Sequence, residues 1–116
     1  MRYRRLRLQD LLREEISTII RRDLKDPGFG LITIVDVRVT EDLRTGKVFY
    51  SIYGDKAEKE KTNEALKRSR GYIKFLLGQR LKLKIMPDIH FVIDDTYEHM
   101  ERIEEVFKRV SNVPED

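Results

Sequence analysis

Residues 62–85 constrain the fold more than any other stretch, because they combine a helical pattern with an internal glycine. Glycine adopts a positive φ without steric cost, and a helix that restarts after it presents free backbone N–H groups. The stretch therefore predicts two helical segments hinged at Ser69-Arg70-Gly71. The apolar residues share one helical face if the axis bends at this hinge; they are Leu66, Ile73, Leu76, Leu77 and Leu81.

The charge around the predicted hinge favours an anion. The N-terminal end of a helix carries a partial positive charge, and many basic side chains flank the hinge: Lys67, Arg68, Arg70 and Lys74, then Arg80, Lys82 and Lys84. This density predicts contact with a run of phosphates. The alternative is an ordinary corner between two helices, with a C-terminal glycine and a solvated basic face.

Length and composition exclude several classes of protein. At 116 residues the chain predicts one domain, residues 1–116, with a frayed tail at about 111–116. The chain has no cysteine, which excludes disulfides and thiolate chemistry and fits a cytoplasmic location. Its basic N-terminus lacks the apolar core of a secretory signal, and no window approaches about 18 apolar residues, so no membrane contact is expected.

Charge is distributed unevenly along the chain. The net charge is +4 over residues 1–25, −2 over 26–55, +7 over 56–84 and −6 over 85–116. A polyanion should be attracted to surfaces built from the first and third blocks and repelled by the last. This polarity predicts a single docking orientation on nucleic acid.

The N-terminal quarter predicts an amphipathic helix over residues 6–24, since its apolar residues recur every three or four positions. The helix should stop at Asp26-Pro27-Gly28, because the residue before proline avoids the helical region. A separate basic cluster precedes the helix and comprises Arg2, Arg4, Arg5 and Arg7.

Two strands follow, over residues 31–40 and 47–53, and a turn between them makes an antiparallel hairpin. Alternation in the first strand predicts Val35, Val37 and Val39 on the inward face. Ile32 and Ile34 have the opposite parity, so the strand is either covered on both faces at its start or bulged.

The second half supplies further helices and one more strand. Asp55 and Glu58 have capping-box spacing for the helix that enters the hinge. An extended exit over residues 81–85 leads to a strand over 89–94, parallel to the second strand because a helical crossover separates them. A last helix is predicted over 96–110. The result is a two-layer α+β domain of order α-β-β-α-kink-α-β plus a C-terminal helix, with a three-stranded mixed sheet.

Four stretches follow one another in a specific order and spacing: LLREEISTII, LKDPGFGLITIVDVRVTEDLRTGKVFYSI, LKRSRGYIKFLLGQRLKLKIMPDIHF and IDDTYEHMERI. Together with the order of elements, they resemble the ribosome-binding factor A family, which is built on a type II KH-like fold. The family has an interhelical kink, Ala-x-Gly, where ordinary KH domains have Gly-x-x-Gly. Here the matching residues are Ser69-Arg70-Gly71, and serine is small enough to preserve the kink. After Pro27 the family often has Arg, whereas this chain has Gly28.

The resemblance implies a bacterial, cytoplasmic factor for 30S subunit maturation that binds 16S rRNA and assists processing of its 5′ end. It implies no enzymatic activity and no cofactor, a monomer, and a small-subunit GTPase as a partner. The expected RNA contacts are the hinge residues Lys67, Arg68, Ser69, Arg70, Gly71, Tyr72 and Lys74, together with Arg80, Lys82, Lys84, Arg2, Arg4 and Arg5. Exposed aromatics stack on unpaired bases, but helix and strand aromatics are usually core, so only Tyr72, of Tyr3, Tyr50, Tyr53, Tyr72 and Phe75, is a favoured candidate.

Two other functions compete with RNA binding. One is a protein–protein module of a GTPase pathway that uses the acidic residues 94–105 as its contact face. The other is a metal-dependent ribonuclease built on a cluster of potential ligands: Asp88, His90, Asp94, Asp95 and His99. The alternation of the strand places Asp88 and His90 on the face opposite Ile89 and Phe91, and Asp95 fits a helix cap, so the nuclease is disfavoured.

Overall fold

The computed structural model describes residues 2–94 as two helices and one sheet. The elements are α1 (Arg2–Thr18), a π-helical turn (Ile19–Asp23), β1 (Leu31–Val39), β2 (Thr45–Tyr53), α2 (Lys56–Leu81) and β3 (Asp88–Ile93). The α+β class predicted from the sequence is confirmed. The predicted helix over 96–110 and the tail over 111–116 lie outside the described residues. No helix within residues 2–94 is both long and apolar enough to cross a membrane.

The three strands form one mixed sheet in the order β1-β2-β3. β1 and β2 are antiparallel, as the hairpin prediction requires, and β2 and β3 are parallel, as the helical crossover through α2 requires. Both β1 and β3 are therefore edge strands. The α helices pack against one face of this sheet.

The bulge proposed for β1 is confirmed at Val35. Ile34 pairs with Tyr50 and Asp36 pairs with Phe49, so Val35 is an extra residue without a partner of its own in β2. The extra residue reverses the parity of the strand, which lets Ile32 and Ile34 point inward before the bulge. For the same reason the predicted inward position of Val35 is wrong, and its side chain is 43% exposed.

The core lies between the helices and the sheet. Its largest fully buried apolar side chains come from all five regular elements: Leu12 and Ile16 of α1, Val37 of β1, Val48 of β2, Ile73 and Leu77 of α2, and Ile89 of β3, with Ile19 from the π-helical turn. Burial of each side chain of this size contributes about 1.5–3 kcal/mol. These side chains fix the position of α2 over β2.

The N-terminus of α2 has the predicted capping box. The Glu58 N–H donates to Asp55 Oδ1 at 2.8 Å, and the Asp55 N–H donates to Glu58 Oε1 at 3.4 Å. The C-terminus differs from the prediction. Lys82 takes the left-handed conformation, with φ 47°, and this C-cap replaces the extended exit expected over residues 81–85.

The predicted kink at Ser69-Arg70-Gly71 is wrong, because α2 is one continuous helix from Lys56 to Leu81. Gly71 has no positive φ; Gly54 is the glycine of the described range that does. One buried stripe runs along the helix at spacings of three, one, three, four, three and one: Thr62, Ala65, Leu66, Ser69, Ile73, Leu76 and Leu77. Packing of this stripe outweighs the roughly 1 kcal/mol that a glycine costs inside a helix.

Candidate nucleic-acid interface

Three cations on one side of α2 form the strongest candidate site, here called the α2 basic stripe: Lys67, Arg70 and Lys74. Their spacings of three and four residues place them on adjacent turns. Lys67 Nζ lies 3.6 Å from Glu64 Oε1, a pair with both side chains mostly in solvent and therefore weak. Arg70 and Lys74 form no ion pair with any residue between 2 and 94. The stripe keeps most of its positive charge for a partner.

Arg70 is also close to the sheet through Tyr50. The Tyr50 hydroxyl donates to Asn63 Oδ1 at 2.7 Å, which joins β2 to the helical turns that precede Arg70. Burial raises the pKa of the Tyr50 hydroxyl, and the nearby positive charge of Arg70 opposes part of that rise. The basic stripe is thus carried by a helix that is anchored to the sheet beside it.

Arg68, a predicted RNA contact, is held by an intramolecular ion pair. Its Nε and Nη2 donate to the Oδ2 and Oδ1 of Asp26 at 2.9 and 3.0 Å. These hydrogen bonds lower the pKa of the Asp26 carboxyl and raise the pKa of the Arg68 guanidinium. The structure therefore uses Arg68 to fix the loop that begins at Asp26.

Arg80, another predicted RNA contact, joins α2 to α1 and the π-helical turn. Its Nη1 donates to Asp23 Oδ2 at 2.9 Å and to Glu15 Oε1 at 3.1 Å, while Nη2 donates to Asp23 Oδ1 at 2.9 Å. These bonds raise the pKa of Arg80, and the bond to Arg80 lowers the pKa of Asp23. Two carboxylates offset the charge of Arg80 and leave little for a phosphate.

The two small residues of the expected hinge have different surroundings. Ser69 is 9% exposed and lies in the buried stripe of α2. Gly71 faces solvent, and a Cβ added to it would meet nothing within 4 Å. Because Gly71 lies inside a continuous helix, its N–H bonds within the helix and offers no start of a helix to an anion.

The N-terminal cluster and the loop after α2 meet around an apolar cavity of about 380 Å³. Arg4, Arg7 and Lys84 line this cavity together with the exposed Leu11 and Ile85. The two basic blocks of the sequence thus converge here. Of the other predicted contacts, Arg2 and Lys82 are exposed, while Arg5 has a buried Nε that has no hydrogen-bond partner in the described part of the chain.

The aromatic side chains are more exposed than the sequence suggested. Tyr72 is 51% exposed and Phe75 is 57% exposed, on the solvent side of α2 near Gly71. Tyr3 and Tyr53 are also exposed, whereas Tyr50 is buried in the core. Sequence reasoning assigned Phe75 to the core by residue type, although its position opposite Ile73 and Leu77 on the helix was a signal for exposure.

The residues proposed for the alternative functions are only partly described. His90 Nε2 lies 3.0 Å from Asp88 Oδ2 on the outward face of β3, as the alternation predicted. Across residues 2–94 no three His, Asp or Glu side chains are grouped so as to hold a metal ion. Asp95, His99 and residues 95–105 of the acidic face lie outside the described range.

Comparison with known proteins identifies relatives over nearly the whole chain. The family model described as ribosome-binding factor A matches residues 4–107. Ribosome-binding factor A of Halothermothrix orenii is 47% identical over 114 residues, which cover 98% of this chain and 93% of that protein.

Solved structures with the same fold carry the same name. The crystal structure of ribosome-binding factor A from Thermus thermophilus has a TM-score of 0.64 at 22% identity, covering 77% of this chain and 94% of that one. A model of the Thermus thermophilus factor fitted into a cryo-microscopy map of its 30S complex has a TM-score of 0.56 at 24% identity, covering 79% and 92%. On the family match and the 47% identity, this chain belongs to the ribosome-binding factor A family.

Proposed function

We propose that this protein is a non-enzymatic, cytoplasmic assembly factor that binds 16S rRNA in immature 30S subunits. Its action would assist late maturation of the subunit, including processing of the 5′ end of the rRNA. The α2 basic stripe is the observation that carries the proposal, because Arg70 and Lys74 have no ion-pair partner within residues 2–94 and lie on a continuous helix. The Thermus thermophilus relative described in a 30S complex supports the same partner.

The stripe suits the phosphate backbone of folded RNA. Lys and Arg side chains contact phosphate oxygens and release counterions, which supplies affinity without reading sequence. Cations at positions 67, 70 and 74 span about 10 Å along the helix axis at 1.5 Å per residue. That length matches contact with two or three neighbouring phosphates rather than with a single anion.

Exposed aromatic side chains add a second type of contact. Tyr72 and Phe75 lie on the part of α2 that faces solvent, within one turn of Gly71. An aromatic ring at such a position stacks on an unpaired base, and a contact of this kind is worth about 1–3 kcal/mol. The absence of a Cβ at Gly71 lets a sugar-phosphate chain approach the helix closely between these rings and the α2 basic stripe.

Binding of this kind steers maturation without catalysis. A factor that holds one conformation of the rRNA more tightly than another shifts the population toward the first, by no more than the difference between its two affinities. Release would then require a competing event, and the family resemblance implies a small-subunit GTPase for that step. The proposal also takes the protein to act as a monomer.

Charge reversal on the stripe tests the proposal. The double variant Arg70→Glu and Lys74→Glu should weaken binding to immature 30S subunits by at least about tenfold and reduce the salt slope of the affinity by about two. The matched control reverses Arg44 and Lys47, which are exposed in the hairpin and carry the same total charge. If both variants bind equally well, or lose affinity equally, the stripe is not the RNA contact.

A further inference from the structure

Within residues 2–94, the free edge of β1 has backbone N–H groups without a partner only in the stretch before its bulge. Asp88 and Asp94 N–H groups donate to the carbonyls of Arg44 and Tyr50, so the even-numbered residues of β2 direct their backbone groups toward β3. Their partners in β1 must then direct N–H and C=O groups away from the sheet, to the free edge. These partners are Ile32, Ile34, Val37 and Val39.

In the half of this edge beyond the bulge, side chains accept from the backbone N–H groups. The Val39 N–H donates to Gln9 Oε1 at 2.9 Å, and the Val37 N–H donates to Asp36 Oδ1 at 2.9 Å. Proteins commonly protect edge strands in this way against pairing with another chain. The bulge at Val35 separates this half from the stretch before it.

The stretch before the bulge, residues 31–34, has no such protection. No residue between 2 and 94 donates to or accepts from the outward backbone groups of Ile32 and Ile34. A groove of about 670 Å³ runs along this stretch, between β1 and the end of α1 with the π-helical turn. Its apolar lining is contributed by Ile20, Leu24 and Phe29, together with Ile32 and Ile34.

The charge of the groove is mainly positive. Arg21 and Lys25 line it and form no ion pair with other residues in the described part of the chain. Among residues 2–94, the one carboxylate that lines it is Asp26, which is already engaged by Arg68. An adjoining cavity of about 400 Å³ shares Arg21 and Ile34 with the groove and adds Arg13 and Glu14. A ligand in the groove should therefore carry negative charge.

We propose that the β1 edge at residues 31–34 binds an extended peptide segment of a protein partner, in which acidic and apolar side chains alternate. The peptide would add a fourth strand to the sheet, its N–H and C=O groups pairing with those of Ile32 and Ile34. Its apolar side chains would contact Ile20 and Leu24, and its carboxylates would face Arg21 and Lys25. This site is separate from the α2 basic stripe and does not depend on its role.

The alternating backbone groups favour peptide over RNA at this edge. A peptide strand offers a donor and an acceptor at each second residue, which matches the two N–H and two C=O groups of Ile32 and Ile34. Phosphate oxygens of RNA accept hydrogen bonds and donate none, so they would leave the two carbonyls without partners.

A blocked synthetic peptide of alternating Glu and Val residues is the probe. Full-length ¹⁵N-labelled protein is titrated with it, and amide hydrogen exchange is measured residue by residue. The peptide should slow exchange at Ile32 and Ile34 by at least about tenfold, while Val37 and Val39, already bonded, change little. The same peptide with alternate backbone nitrogens methylated should give no protection, because it lacks the donors on one edge.

Charge variants complete the test. The double variant Arg21→Glu and Lys25→Glu should lower the affinity for the peptide by at least about tenfold. The double variant Arg70→Glu and Lys74→Glu, an equal change in charge elsewhere, should leave the affinity for the peptide unchanged.

Several outcomes overturn the proposal. They are unchanged exchange at Ile32 and Ile34 up to about 1 mM peptide, and protection of both amides by oligouridine but not by the peptide. The proposal also fails if the amides of Ile32 and Ile34 are already protected in the free protein at high dilution, because another segment of the same chain then occupies the edge. Protection that grows with protein concentration alone assigns it to a second copy.

Discussion

Arg68 and Asp26 lie 42 residues apart in the sequence and form a two-point ion pair, with N–O distances of 2.9 and 3.0 Å. A second contact lies one to two turns earlier on α2, where Thr62 Oγ1 accepts from the Gly30 N–H at 3.0 Å. Together they attach the loop of residues 26–30 to the helix. The loop also precedes β1, so these contacts position the strand whose edge at residues 31–34 is unpaired within residues 2–94.

Gly28 is required by this close approach. A Cβ at residue 28 would lie 2.9 Å from Arg68 Nη2, 3.1 Å from Asp26 Oδ1 and 3.2 Å from the Ala65 Cβ. Gly28→Ala should therefore lower the free energy of unfolding by roughly 1–3 kcal/mol, measured by urea denaturation. The cost should shrink in an Arg68→Ala background, which removes the nearest atom. An equal cost in both backgrounds would show that the contact with Arg68 is not the cause.

The ion pair of Arg80 predicts a specific dependence of stability on pH. Its hydrogen bonds lower the pKa of Asp23 from the ordinary value of 3.8, so the pair contributes stability above that pH and loses it as pH falls through the lower folded pKa. Arg80→Ala should reduce the melting temperature at neutral pH, and the gap from wild type should narrow steadily below about pH 4.

The control for this experiment is Lys47→Ala, which removes an exposed cation from β2 and should leave the melting temperature unchanged at every pH. A gap between wild type and Arg80→Ala that is as wide at about pH 2 as at neutral pH would contradict the role given to Asp23. It would indicate that the side chain of Arg80 stabilises the fold by packing alone.

A substitution at Gly71 distinguishes a continuous α2 helix from a kinked one. In the continuous helix Gly71→Ala should raise the free energy of unfolding by about 0.5–1 kcal/mol, because alanine favours the helix and a Cβ meets nothing within 4 Å. Gly54→Ala is the control and should destabilise, since Gly54 has φ +140° and its Cβ would lie 3.0 Å from Glu58 Cβ. A loss of stability in Gly71→Ala would support a kinked helix. If RNA approaches at Gly71, the same variant should bind 30S subunits less tightly despite its greater stability.

The elements that could be predicted from the sequence depend on neighbouring residues. The capping box of Asp55 and Glu58 needs only a spacing of three, and the reversed parity of Ile32 and Ile34 made a bulge one of two alternatives for the start of β1. The predicted kink at Gly71 is wrong because the shape of α2 does not depend on neighbouring residues alone. A glycine suggests a break by its own propensity, whereas continuity of α2 is set by the whole stripe packed on the sheet, which includes the small residue Ser69.

The sequence could not predict which cations form ion pairs within the fold and which remain available to a partner. Arg68 and Arg80 find carboxylates 42 and 57 residues away, and no local pattern shows such partners. The sequence treated every Lys and Arg between residues 67 and 84 as one basic surface. Helical geometry instead places Arg68 and Arg80 away from the α2 basic stripe, and carboxylates within the fold offset their charge. The unpaired edge of β1 could likewise not be predicted, because the register between β1 and β2 decides which backbone groups point away from the sheet.

This division supplies a test on a single helix, with two variants that remove the same charge. Arg70→Gln should weaken binding to immature 30S subunits by roughly three- to tenfold, since a charge-assisted contact is worth about 1 kcal/mol or more, and should leave the melting temperature unchanged. Arg68→Gln should do the reverse, lowering the melting temperature because Asp26 loses its partner while affinity changes little. Subunit binding by sedimentation and thermal melting by circular dichroism measure the two effects separately. If Arg68→Gln weakens binding as much as Arg70→Gln, at a temperature where both are folded, Arg68 leaves Asp26 to contact RNA, and the stripe extends across the helix.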